Sequence, residues 1–198
     1  MKGDLHVQKA AIPLLSSWQN FYVIVGSASV GLISLMFVVL SLIASRNKRK
    51  SSEVTGVFAT PTVVHLCAAF LIAAIFNAPW PELWYVDLAL GICGLAGVLY
   101  GLVIFWRALR QSRYQPELED WIWHIILPFL SYMALFGASL VIPANAVLAL
   151  FIVGAVAVLF LFIGVHNAWD SVTYMIFITE ARQAQKEQEQ KAEELSSL

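Results

Sequence analysis

Five long apolar runs, at residues 21–44, 59–76, 84–106, 121–142 and 146–165, leave this chain almost no way to fold in water. A helix needs about 20 apolar residues to cross roughly 30 Å of hydrocarbon. Inside that layer a helix is the simplest way for a single segment to satisfy its own backbone hydrogen bonds. The runs therefore predict an all-α integral membrane bundle of five transmembrane helices. Composition agrees: 60% of the 198 residues are hydrophobic and 13% charged, against about 25% charged in soluble domains. A net charge of −1 gives no indication of nucleic acid as a partner.

The placement of charge sets the expected sidedness. Ten of the twelve Lys and Arg fall after the first run (Arg46, Lys48, Arg49, Lys50), after the third (Arg107, Arg110, Arg113) or in the tail (Arg182, Lys186, Lys191). Basic residues near span ends stay on the cytoplasmic side, so the N-terminus is expected outside and the C-terminus inside. Three parts follow: an extracytoplasmic lead at 1–17, a five-helix domain at 18–178 and a cytoplasmic tail at 179–198. The first run is too long for a cleaved leader, and its basic cluster follows rather than precedes it. Location in a bacterial inner membrane as a multi-pass protein is the expectation.

Ser16 or Ser17 would cap the first helix, with Trp18 at interface depth, and Thr60-Pro61 would open the second. Asn77 to Leu83 and Pro143-Ala144-Asn145 are short turns, which makes helices two and three, and four and five, antiparallel neighbours. The fifth run continues in more polar form to 178. The tail, rich in Glu, Gln, Lys and Ala, reads as a solvated helix that frays, with Glu187 placed to pair with Lys191. Cys67 and Cys93 lie in apolar runs and are expected to be small hydrophobes rather than a disulfide. The sequence has no repeat of 20 to 50 residues.

Gly91, Gly94, Gly97 and Gly101 are spaced to leave one face of helix three without side chains, and Ser27 and Gly31 form a second small-xxx-small pair on helix one. In lipid, close backbone approach at such faces drives helix association. Packing within one bundle is the first expectation, and a homo-oligomer through helix one or three the second.

Ionisable groups at membrane depth are rare and point to function. His65 lies about 9 Å into helix two from its basic side, His124 about 5 Å into helix four, and His166 where helix five leaves the hydrocarbon, counted at 1.5 Å per residue. The three are expected at one cytoplasmic-side level. His166 and Asp170 share a helical face at i and i+4, Asn167 adjoins them, and Glu117, Glu119, Asp120, Arg107 and Arg110 lie near the same end. The plainer reading is that such histidines reach water or headgroups at the interface. Pro128 should kink helix four and free the carbonyl one turn before it. Hydroxyls of Ser34, Ser131 and Tyr132 are expected to bond their own or neighbouring helices. The basic run 46–50 is a topology signal that also suits anionic lipid.

The chain has no HExxH, CxxC, EF-hand, GxSxG, P-loop or GxGxxG pattern. Three histidines on three helices, without a short ligand pair, make a weak metal set, and a bis-histidine haem would need two of them in one cavity. No cofactor and no catalytic residue are predicted.

Trp18-Gln19-Asn20-Phe21-Tyr22-Val23-Ile24-Val25-Gly26-Ser27-Ala28, Leu35-Met36-Phe37-Val38-Val39 and His166-Asn167-Ala168-Trp169-Asp170 resemble a group of uncharacterised small bacterial multipass membrane proteins. The likeness spans most of the chain. It implies the architecture and the inner-membrane location, and carries over no activity, cofactor or partner.

The leading functional expectation is a non-enzymatic, oligomeric interaction or regulatory component, with the lipid bilayer, a second copy and a cytoplasmic protein on the tail as partners. The second is a small transporter or proton-coupled permease using His65, His124, His166, Asp170 and Asn167. The third is a haem- or metal-binding membrane protein.

Overall fold

A computed structural model of the chain describes residues 2–46, 60–110 and 118–196. Lys48, Arg49, Lys50, Arg113 and Glu117, on which part of the charge argument rests, lie outside the described residues. The described residues are helical throughout apart from two turns. They form α1 (Lys2–Arg46), α2 (Thr60–Asn77), α3 (Leu83–Arg110), α4 and α5 (Ala146–Ser196). α4 is composite: a short α-helical start at Leu118–Trp121, a π-helical turn at Ile122–Ile126 and an α-helix at Leu127–Val141.

Four segments are long and apolar enough to cross a membrane: Ser16–Leu42, Leu83–Trp106, Ile122–Val141 and Ala146–Asp170. Multiple membrane spans follow from length and composition. The second run is helical over Thr60–Asn77, close to the expected 59–76, and its apolar stretch among the described residues is Thr62–Asn77. The lead differs from expectation. It is not a separate segment capped at Ser16 or Ser17 but the first part of α1, which runs unbroken from Lys2.

α1 pairs with α2, α3 pairs with α4, and α5 packs against α1, α2 and α4. Contact levels along the helices show the directions. Gly26 meets Ala73 and the buried Ser29 hydroxyl donates to the Leu66 carbonyl, so α1 and α2 are antiparallel. The rings of Tyr22 and Phe76 stack 4.2 Å apart toward the other end of the pair. α4 and α5 are antiparallel neighbours, as the short turn between them predicts. α2 and α3 are not a packed pair beyond their turn, because the glycine face of α3 is taken by α4.

The buried apolar core is built mainly from α2, α4 and α5, with Leu66, Ile72, Leu135, Val153, Phe160 and Ile163 almost wholly enclosed. Large apolar side chains such as Ile24, Leu35, Ile92, Leu140 and Phe162 face outward, which suits a hydrocarbon solvent. The turns finish their helices with local bonds. Trp80 Nε1 donates to the Ile75 carbonyl at 2.6 Å, and Asn145 Oδ1 accepts from the Leu148 amide at 3.0 Å, an N-cap for α5. Cys67 and Cys93 are free thiols.

Candidate functional site

The four glycines of α3 all face α4, and they fix how that helix lies. A Cβ at Gly91 would come 3.2 Å from Ser139 Oγ, and one at Gly94 only 2.6 Å from the Phe136 backbone nitrogen. At Gly97 it would enter the Tyr132 ring, and at Gly101 it would lie 3.0 Å from Phe129. Gly97 is therefore the hollow that lets Tyr132 lie flat between α3 and the rest of the bundle. Ser27 and Gly31 behave differently: both are exposed, and nothing lies within 4 Å of the Gly31 position. The contacts of α1 with α2 go through Gly26 and Ser29 instead.

Tyr132 leads directly to the first histidine. His65 on α2 is 2% exposed, and its Nδ1 lies 3.3 Å from the Tyr132 hydroxyl. Phe160 of α5 stacks nearly parallel to the imidazole, 6.0 Å away at 7°. His65 and His124 line one small cavity of about 20 Å³, together with Tyr100, Gly101, Ile104, Ile125, Pro128 and Tyr132. His65 Nε2 and His124 Nδ1 are both buried and make no hydrogen bond among the described residues.

His166 stands apart from that cavity. Its ring stacks on Trp123, 4.0 Å away at 20°, and its Nε2 lies 3.0 Å from Asp170 Oδ2. This is the side-chain contact that the i, i+4 spacing predicts. Asn167, its neighbour, is fully buried. The structure thus brings together two of the three histidines and joins the third to its expected carboxylate.

Phe160, beside His65, precedes His166 by six residues on α5, which puts His65 roughly 9 Å deeper along that helix, the same offset as the depths counted from the sequence. His65 sits level with Tyr132 and Ser29, which lie near the middle of their spans.

The π turn explains how adjacent residues serve two places. Pro128 has no amide hydrogen for the His124 carbonyl, and its ring would crowd that carbonyl in a regular helix. The backbone instead widens by one residue over Ile122–Ile126, with the Leu127 amide bonding the Ile122 carbonyl. Such insertions re-aim side chains and recur at functional positions. Here Trp123 meets His166 while His124 enters the cavity beside His65.

Sequence reasoning passed over two groups. Asp87 lies within the third span, and its Oδ1 is buried without a hydrogen bond among the described residues. A lone carboxylate in a 24-residue apolar segment was the available signal. Tyr100, between Gly97 and Gly101, lines the histidine cavity. Hydroxyls behaved as expected elsewhere, with Ser34 donating to the Val30 carbonyl at 2.9 Å and Ser131 to that of Leu127 at 2.7 Å.

Among the described residues no three His, Cys, Asp or Glu side chains converge as a metal set would. No protein-family model, curated protein or solved structure matches the chain.

Proposed function

We propose that this chain is a non-enzymatic, proton-linked membrane component of five spans, with its N-terminus outside, its C-terminus in the cytoplasm and the bacterial inner membrane as its location. In this reading α2 is a short fifth span, supported by its antiparallel packing along α1. The observation that carries the function is the shared cavity of His65 and His124, between the middle of the bundle and its Trp123 end. Imidazole is the side chain whose ordinary pKa lies within the physiological range. Two of them with unpaired buried nitrogens, at membrane depth, form a unit suited to taking up and passing a proton. The cavity is far smaller than ligand pockets, which run to about 300 Å³ and above. That size favours proton exchange over carriage of an organic solute.

The test is proton flux into liposomes containing the full-length protein, driven by a potassium diffusion potential and read with an internal pH dye. Flux above that of protein-free vesicles is expected, with loss in His65→Gln and in His124→Gln. His166→Gln should reduce flux less, because His166 lies outside the cavity. Flux equal to that of protein-free vesicles would remove the reading.

A second reading rests on the length of α5. It continues as helix to Ser196, 26 residues beyond the apolar window that ends at Asp170, or about 39 Å at 1.5 Å per residue. A helix continued to that length, polar from Thr179 onward, suits docking by a cytoplasmic protein. Under this reading, deleting residues 179–198 abolishes cellular activity while both histidine substitutions leave it intact.

A further inference from the structure

The cavity between His65 and His124 is also small enough to define its own occupant. Its volume is about 20 Å³, and one water needs roughly 10 to 15 Å³ of such space together with two to four polar partners. His65 Nε2 and His124 Nδ1 belong to rings that line it, and each is buried with no hydrogen bond among the described residues. His65 itself is 2% exposed. The remaining wall is largely apolar, from Ile104, Ile125, Pro128 and Gly101, with Tyr100 and Tyr132 completing it.

We infer that this is a binding site for a single water molecule that bridges His65 Nε2 and His124 Nδ1. Other occupants fit worse. A hard cation prefers six or more oxygen ligands, and the site offers two imidazole nitrogens and two tyrosines. An organic solute exceeds the space. Water matches both the volume and the two open nitrogens, whose pairing would otherwise leave two buried polar groups unsatisfied.

The Tyr132 hydroxyl sets the direction of the bridge. When it donates to His65 Nδ1, across the 3.3 Å contact, the ring proton sits on Nε2. The water then accepts from His65 Nε2 and donates to His124 Nδ1. An added proton on His65 moves by a balanced pair of transfers: Nε2–H goes to the water oxygen, and a different water proton goes to His124 Nδ1. His65 is left neutral with its proton on Nδ1, now donating to the Tyr132 oxygen. The site shares its residues with the proton-linked reading, and this relay rests on that reading. Water occupancy does not, so each can fail alone.

The experiment is solid-state NMR of the full-length protein in lipid bilayers, with ¹⁵N-labelled histidine and magnetisation transferred from water. Transfer to the ring nitrogens of both His65 and His124 is expected. It should be lost from both rings together in Ile104→Phe, which fills the cavity, with other resonances retained. Spectra of the unaltered protein decide the matter even where that variant does not fold. A direct N–H···N coupling between the two rings, or the absence of water transfer to either, would overturn the inference. Proton flux in the liposome assay would then still stand or fall by itself.

Discussion

At the scale of single residues, the glycines separate into positions that have a partner and positions that do not. Gly94 and Gly97 lie against the Phe136 backbone and the Tyr132 ring, whereas Gly31 meets nothing within 4 Å. Gly94→Ala and Gly97→Ala should each cost about 1 to 3 kcal/mol, the usual range for overpacking a filled contact. Gly94 should be the worse of the two, because backbone cannot swing aside as a ring can. Gly31→Ala should be neutral or stabilising by up to about 1 kcal/mol through helix propensity. Denaturant titration in mixed micelles checks the order, and equal losses at all three positions would contradict the packing. The sequence made the α3 face legible as a set of missing side chains. It did not identify the partner, since a short turn suggested α2 while the shape of Tyr132 selects α4.

At the scale of elements, the informative feature is the π turn of α4. Pro128 marked a disturbance in the sequence, but proline alone does not decide between a kink and a widened turn. The choice depends on where the neighbouring side chains gain most. Trp123 stacks on α5 through His166, and His124 enters the cavity that α2 shares. Pro128→Ala removes the cause of the widening and permits a regular helix, which shifts the register by one residue, or about 100° of rotation. Trp123 and His124 cannot then both keep their places. The variant should be as stable as the parent or more so, by up to about 3 kcal/mol, the propensity cost of an interior proline. Its proton flux should nevertheless be lost. A variant that retains full flux would show that the π turn does not position the site. Polar groups inside an element were less legible than the element itself: Asp87 was hidden by the apolar residues around it.

At the scale of the whole molecule, the contact levels and the charge pattern are independent arguments for one topology. The turn after α2 and the turn after α4 lie at the end of the bundle where Tyr22 meets Phe76 and where Trp18 meets Phe151. Trp123 and His166 mark the other end, toward which α1 and α3 end at Arg46 and Arg110. Packing of this kind fixes which ends lie together but not which side of a membrane they face, because a bundle is equally well packed either way up. In the proposed orientation basic residues supply the missing sign, by the rule that those near short loops remain in the cytoplasm. The two arguments meet in a mapping experiment on cysteine-free protein in intact cells. Single cysteines at Lys48, Arg110 and Gln190 should resist an impermeant maleimide until the membrane is opened, and those at Trp80 and Ala144 should react at once. Protection at 48 with reaction at 190 would break the five-span count at α2, whose apolar helix is the shortest. Reaction at all three cytoplasmic positions, with protection at 80 and 144, would keep the packing and invert the membrane side from which the histidine cavity is approached.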